Sequence, residues 1–225
     1  LSNVFLNNKE QYVKYKQRIP QGQERLTELE FRNEITKRLH RFNPDEDIPN
    51  KIPEVEAAVK KVRELYEYVG KEGIDTLGFF GNPGAVEDQL HYYVSRMYDR
   101  NKIASNPKKF RGKIAEYLKK EYEISDSKEK ARILEAVKED GDVDRYFENL
   151  ARQVENNILG NSGQALDDGV GFPNPPSFLK SRKILLENAE LEDFLELDVN
   201  VVLGRYMNYV SPRLRMSQTM GVDFI

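Results

Sequence analysis

The chain has 225 residues, with 35 Lys and Arg against 38 Asp and Glu and a formal net charge of −3. By area scaling a chain of this length buries roughly 70% of its unfolded surface, so a substantial core is expected, in one large or two small domains. The absence of Cys excludes disulfides, thiolate catalysis and Cys-ligated zinc or iron–sulfur sites, and two His exclude a multi-histidine metal centre. A pI near 5.7 removes the overall basicity of a non-specific nucleic-acid binder, so any DNA contact would be local.

The elements are read in chain order. Residues 1–23 are expected to form an extended N-terminal arm. Residues 24–42 carry a helical stripe through Leu26, Leu29, Ile35, Leu39 and Phe42, ending at the polar, Pro-punctuated linker "NPDEDIPNKIP". The clearest helix follows: Pro53 suits its first turn, Glu54 and Glu56 suit its positive end, and Val55, Val59, Val62, Leu65, Tyr66 and Val69 align before Gly70. "GIDTLGFFGNPG" then favours an irregular or short extended piece, and residues 86–98 read as a helix.

Asn106 and Pro107 predict a capped helix start, with Phe110, Ile114, Tyr117 and Leu118 on the buried face. Ser125 or Ser127 is the expected cap of "KEKARILEAVKED", with Ala131, Leu134 and Val137 inward. Asp142 is the expected cap of the next helix, whose inward positions are Val143, Phe147, Leu150, Val154 and Ile158. Four Gly and three Pro in "GNSGQALDDGVGFPNPPS" predict a surface loop over 160–177. Beyond it, "DVNVVLGRYMNYV" is capped by Asp198, and a last helix is expected to start at Ser211 and Pro212.

The fold class expected is all-α or nearly so: a bundle-like array of about seven or eight helices, with short β pieces at most near 76–80 and 178–185. Its organisation is an arm over 1–23, a helical domain over 24–159, the loop over 160–177, and a C-terminal helical subdomain over 178–225. That subdomain is expected to dock on the first domain through Phe194, Leu195, Val202 and Tyr206. The sequence opens on Leu1 without Met and stops at "SQTMGVDFI", as a piece of a longer protein or a trimmed complete domain would. It carries neither a signal peptide nor an apolar run of about 20 residues.

The search for chemistry is sparse in results. His40 at the end of "KRLHRF" suits a helix dipole. His91 with Asp88 has the residue types of an acid/base pair, although a packed or hydrogen-bonded structural role is the preferred reading. "GNSGQ" lacks a nucleophile elbow, and "GNPGAVED" and "GVGFPNPP" miss both phosphate-cradling spacings. The carboxylate pairs read as solvated surface, and "DEDIPN" lacks the Gly and terminal Glu of a calcium loop. No catalytic residue, cofactor or metal is expected. The run with Lys108, Lys109, Arg111 and Lys113 has the density that phosphate contacts need, diluted by Glu116, Glu121 and Glu123.

Two segments carry a resemblance. "HYYVSRMYDRNKIASNPKKF" and "SFLKSRKILLENAELEDFLELDVNVVLGRYMNYVSPRLRMSQTMG" resemble helical regions of very large bacteriophage virion-associated, internal proteins, over 88–120 and 177–221. The resemblance implies a structural or assembly segment, not an enzyme, located in the virion, delivered with DNA into the host cell, and partnered by other virion chains or the rest of a longer polypeptide. It supplies no catalytic residue. The interaction candidates are His91, Arg96, Asp99, Arg182 and Arg205. Arg96 and Asp99 have the spacing of a helical ion pair, and Arg182 and Arg205 are placed to clamp an acidic cap such as Asp198. The alternatives are a hydrolase or transferase domain using His91 with nearby carboxylates, and a helical DNA-contacting module.

Overall fold

A computed structural model describes residues 2–40, 51–77, 97–140, 142–160 and 188–220. Among these the fold is all-α. Its helices are α1 (Ser2–Arg18), α2 (Glu28–Leu39), α3 (Pro53–Leu77), α4 (Arg100–Ser105), α5 (Pro107–Ile124), α6 (Ser127–Asp140), α7 (Val143–Gly160), α8 (Asn188–Leu191) and α9 (Val199–Met220), with a 3-10 turn at Glu192–Phe194. The chain divides into two units, Leu1–Ser95 with Leu197–Ile225, and Arg96–Glu196.

In the first unit, the expected arm over 1–23 is instead largely helix. Val4, Asn8 and Tyr15 are buried at helical spacing on α1. The stripe escapes hydrophobic pattern reading because one of its members is an asparagine. The chain turns after α1 at Gly22, whose φ of +96° is a conformation that a side chain disfavours. The turn is pinned from α1 by two hydroxyls: Tyr12 Oη donates to the Leu26 carbonyl at 3.4 Å, and Tyr15 Oη accepts from the Leu26 amide at 3.0 Å.

α2 begins at Glu28, four residues later than the stripe predicts, because Thr27 and Glu30 form a reciprocal capping box. Leu29 is therefore exposed, and Phe31, Ile35 and Leu39 are buried. α3 packs on α1 and α2. It buries the expected Val55, Val59, Val62, Tyr66 and Val69, then continues past Gly70 to Leu77, so 73–77 are helix rather than extended chain. α9 completes the unit against α2 and α3, with the Tyr206 and Tyr66 rings 4.8 Å apart. It runs straight through the expected helix start at Pro212. Pro212 has no N–H to donate, so the helix there lacks one internal hydrogen bond.

The second unit packs α5 against α7, with α6 and α4 also on α7. Phe110, Ile114, Tyr117 and Leu118 are buried on α5, as are Phe147, Leu150, Val154 and Ile158 on α7, as the stripes predict. On α6 the register differs. Ala131 and Leu134 are exposed, while Ile133 joins Val137 in the core. Ser125 closes α5 by donating its hydroxyl to the Glu121 carbonyl, and α6 starts at Ser127, so neither expected serine stands at the position just before that helix. Asn106 precedes α5 without a side-chain cap, leaving Pro107 as the start signal.

The chain ends of this unit meet in a single antiparallel bridge between Tyr98 and Leu195. The Asp99 amide donates to the Phe194 carbonyl at 2.9 Å, and the Glu196 amide to the Met97 carbonyl at 2.8 Å. Phe194 and Leu195 are buried in this unit, whereas Val202 and Tyr206 are buried in the other. The four residues expected to share one docking face thus belong to different units. The loop expected over 160–177 and the β piece near 178–185 fall outside the described residues, apart from Gly160, which ends α7. Met97 and Tyr98, expected at the end of a helix over 86–98, are not helical.

Candidate functional site

Of the interaction candidates, His91, Arg96 and Arg182 lie outside the described residues. Asp99 is an N-cap: its carboxylate accepts from the Asn101 amide at 2.9 Å and the Lys102 amide at 3.2 Å. Arg205 is exposed on α9 and does not supply the clamp on Asp198. Arg32 of α2 does, its Nε and Nη2 each donating to the Asp198 carboxylate at 3.0 Å. The same guanidinium donates through Nη1 to Glu28 at 3.1 Å, and Asp198 also caps α9 by accepting from the Asn200 amide at 3.0 Å. The Glu28–Arg32 pair and the Asp198 cap are local enough for a sequence to announce them, whereas the Arg32–Asp198 fork is not.

The basic helix of the second unit is tied down in the same manner. Lys109 donates to Asp193 at 2.6 Å, Arg111 to the buried Glu155 at 2.5 Å, and Lys113 to the Glu190 carbonyl. Lys119 faces Asp144 at 2.9 Å. A phosphate approaching this helix competes with carboxylates already seated on it.

A groove of about 220 Å³ opens in the first unit. α1 contributes Phe5, Leu6, Asn8, Lys9 and Tyr12 to its walls, α2 contributes Glu28 and Arg32, and α9 contributes Asn200. The Arg32 clamp holds the α2 and α9 walls together. Asn8 is only 2% exposed, and neither Nδ2 nor Oδ1 of its amide has a hydrogen-bond partner among the described residues. The Asn200 Oδ1 atom is likewise buried and unpartnered there. A buried amide without partners is costly, and native chains rarely keep one. The sequence held one signal of this site: an asparagine at the helical spacing of Val4 and Tyr15.

The resolved electrostatic shifts belong to ion pairs and caps. Arg18 grips Glu54 through Nε at 2.8 Å and Nη2 at 3.0 Å, and these hydrogen bonds hold the Glu54 carboxyl below its ordinary value of 4.5. Glu30 is lowered by the hydrogen bond from the Thr27 backbone and then by the Thr27 hydroxyl, and Asp193 is lowered chiefly by the hydrogen bond from Lys109. Because Glu54 titrates lower folded than unfolded, its contribution to stability is present above the unfolded value and is lost as pH falls through the folded one. Thermal melts from about pH 6 down to about pH 3 should therefore show a steeper loss for the parent chain than for Glu54→Gln. Equal slopes would mean that the Arg18 grip does not persist in solution.

Among the described residues no group of His, Asp and Glu is placed to hold a metal ion, and no helix is long and apolar enough to cross a membrane. Compared with family models, with curated proteins and with solved structures, the chain finds no match.

Proposed function

We propose that this chain is a structural and assembly segment of a phage virion-associated protein, carried in the particle and delivered with the DNA. The observation that carries the reading is the use made of the residues in the phage-like segments. Tyr98 forms the bridge that joins the ends of the second unit, Asp99 caps α4, and Asp198 both caps α9 and receives the Arg32 fork. Each of these residues fixes backbone or a helix end. Arg111, within the first phage-like region, on Glu155, and Arg18, outside both regions, on Glu54, likewise join helices distant in sequence. Bidentate arginine–carboxylate pairs add geometric specificity to energy, and defined helix geometry is what an element packed repeatedly beside other chains requires.

On this reading the partners are neighbouring virion chains or further parts of the same polypeptide, and the helical units present surfaces to them. The test is quantitative mass spectrometry of gradient-purified particles from the host that carries the gene. The chain should be present in the particles at a fixed copy number and should enter a freshly infected cell with the genome. A chain found only in the host fraction, with none in the particles, would refute the proposal.

A further inference from the structure

The geometry points to the outer face of α1 as the docking surface for an acidic amphipathic helix, one that carries its apolar side chains in a single stripe with carboxylates beside them. The inference deepens the assembly reading and rests on it for the source of that helix, a neighbouring chain. Two exposed apolar residues, Leu6 at 60% and Val13 at 41%, stand one heptad apart on this face. Seven residues rise about 10.5 Å along a helix and return to nearly the same side, so the two form one stripe. The exposed Lys9 and Lys16 repeat that spacing on one flank of the stripe, and the exposed Lys14 lies on the other.

The charge on this face is uncompensated. Lys9 and Lys14 bond to no carboxylate among the described residues, and Lys16 reaches only the Tyr12 ring, 4.8 Å from its centroid. Glu10 is the one acid of α1, and Arg18 is already held by Glu54. On α5, by contrast, Lys109 and Lys119 are seated on Asp193 and Asp144. A partner of α1 therefore brings the negative charge with it. A recess adjoins the stripe, because Leu6 and Lys9 also line the groove of about 220 Å³, together with Phe5 and Tyr12. That volume is below the roughly 300–1,000 Å³ of sites for larger organic ligands and takes one apolar side chain, the anchor of a helix laid along α1. Glu28 and Arg32 in its wall already bond each other.

Other acidic partners suit the face less well. Duplex DNA offers phosphates to the lysines but nothing to Leu6 and Val13 between them. An anionic bilayer binds in proportion to buried apolar area, of which two separate side chains provide little. A helix of 17 residues is roughly 25 Å long, so one face of it falls short of the ~800 Å² per partner typical of stable complexes. A single contact is thus weak, and its repetition along an assembly supplies the strength.

The experiment titrates the full isotope-labelled chain with a stapled helical peptide of about 18 residues, bearing Leu one heptad apart and Glu on both flanks, and reads the backbone amide signals of α1 by NMR. The same peptide with Lys for Glu is the control, and random-sequence duplex DNA and phosphatidylserine vesicles are the competing probes. Saturable shifts along α1 with the Glu peptide, absent with the Lys peptide and weakened at least about threefold from about 50 to about 300 mM salt, are expected. Lys9→Glu with Lys16→Glu should weaken binding about tenfold or more, and Leu6→Ser with Val13→Ser about as much. All four positions are exposed, so the melting temperature should stay within about 2 °C of the parent. Lys128→Glu, at an exposed position of α6, should leave binding unchanged.

The inference is overturned if the Glu peptide gives no shifts, if the Lys peptide shifts α1 equally, or if either pair of substitutions leaves binding unchanged. It is equally overturned if DNA or vesicles bind through Lys9 and Lys16 and displace the peptide, or if the chain alone self-associates through Leu6 and Val13, in which case a second copy covers the face. A chain counted in the particles but indifferent to the peptide would remove the acidic helix as partner and leave the assembly reading standing.

Discussion

Phe31→Ala is expected to lower the unfolding free energy of the first unit by about 3–5 kcal/mol, the range for removing a fully buried aromatic ring. Phe31 is 0% exposed, and its ring centroid lies 5.5 Å from that of Tyr12 and 5.6 Å from that of Tyr15. The ring is thus where α2 meets α1, and its loss opens a cavity lined by side chains that also anchor the turn at Leu26. Tyr12 additionally lines the groove between α1, α2 and α9, so the substitution should change the shape of that groove as well. Urea unfolding followed by far-UV circular dichroism and by NMR signals of the first unit measures the change. A loss below about 1 kcal/mol would show that the two helices do not depend on this contact.

The second large effect belongs to the clamp. Arg32→Ala should cost about 2–3 kcal/mol, more than an exposed pair and less than a fully buried one, because both side chains are mostly but not wholly covered. Asp198→Ala should cost at least as much, since the same carboxylate also caps α9 at the Asn200 amide. Asp198→Asn separates the two roles by keeping a capping oxygen while removing the charge. A double-mutant cycle with Arg32→Ala and Asp198→Asn should return a coupling of about 1–2 kcal/mol. A coupling under about 0.3 kcal/mol would mark the pair as an ordinary surface contact.

The fold was legible where burial follows a simple period. α3, α5 and α7 bury most of the residues their spacing picks out, Leu65 and Val143 being only half-buried, and Asp142 and Asp198 cap as their residue types suggest, with the Arg145 amide 2.7 Å from Asp142. Illegible features each have a physical cause. α1 hides its stripe behind Asn8, whose polarity breaks the pattern without breaking the helix. Ile133 displaces Leu134 because two neighbouring apolar side chains compete for one face of α6 and only the packing against α7 decides. Pro212 stays within α9 because tertiary packing of Val202, Tyr206 and Val210 overrides the local penalty. The candidate site was the least visible part. Its clamp joins residues 166 apart in sequence, and its key group is notable only for what it lacks around it.

The paired backbone hydrogen bonds at Met97, Asp99, Phe194 and Glu196 bear on how the chain comes to be folded during its own synthesis. They close the second unit on itself, so that everything it needs lies between its two ends. The first unit is different, since α1, α2 and α3 emerge early while α9 follows the whole of the second unit in the chain. At roughly 5–20 residues per second, about 6 to 29 s separate the appearance of α3 from that of α9. For that interval the faces of α2 and α3 that later receive α9 are uncovered, and Arg32 has no Asp198 to grip. The later-encoded unit can thus reach its final form while the earlier-encoded one still waits, reversing the usual order in which domains mature along a nascent polypeptide.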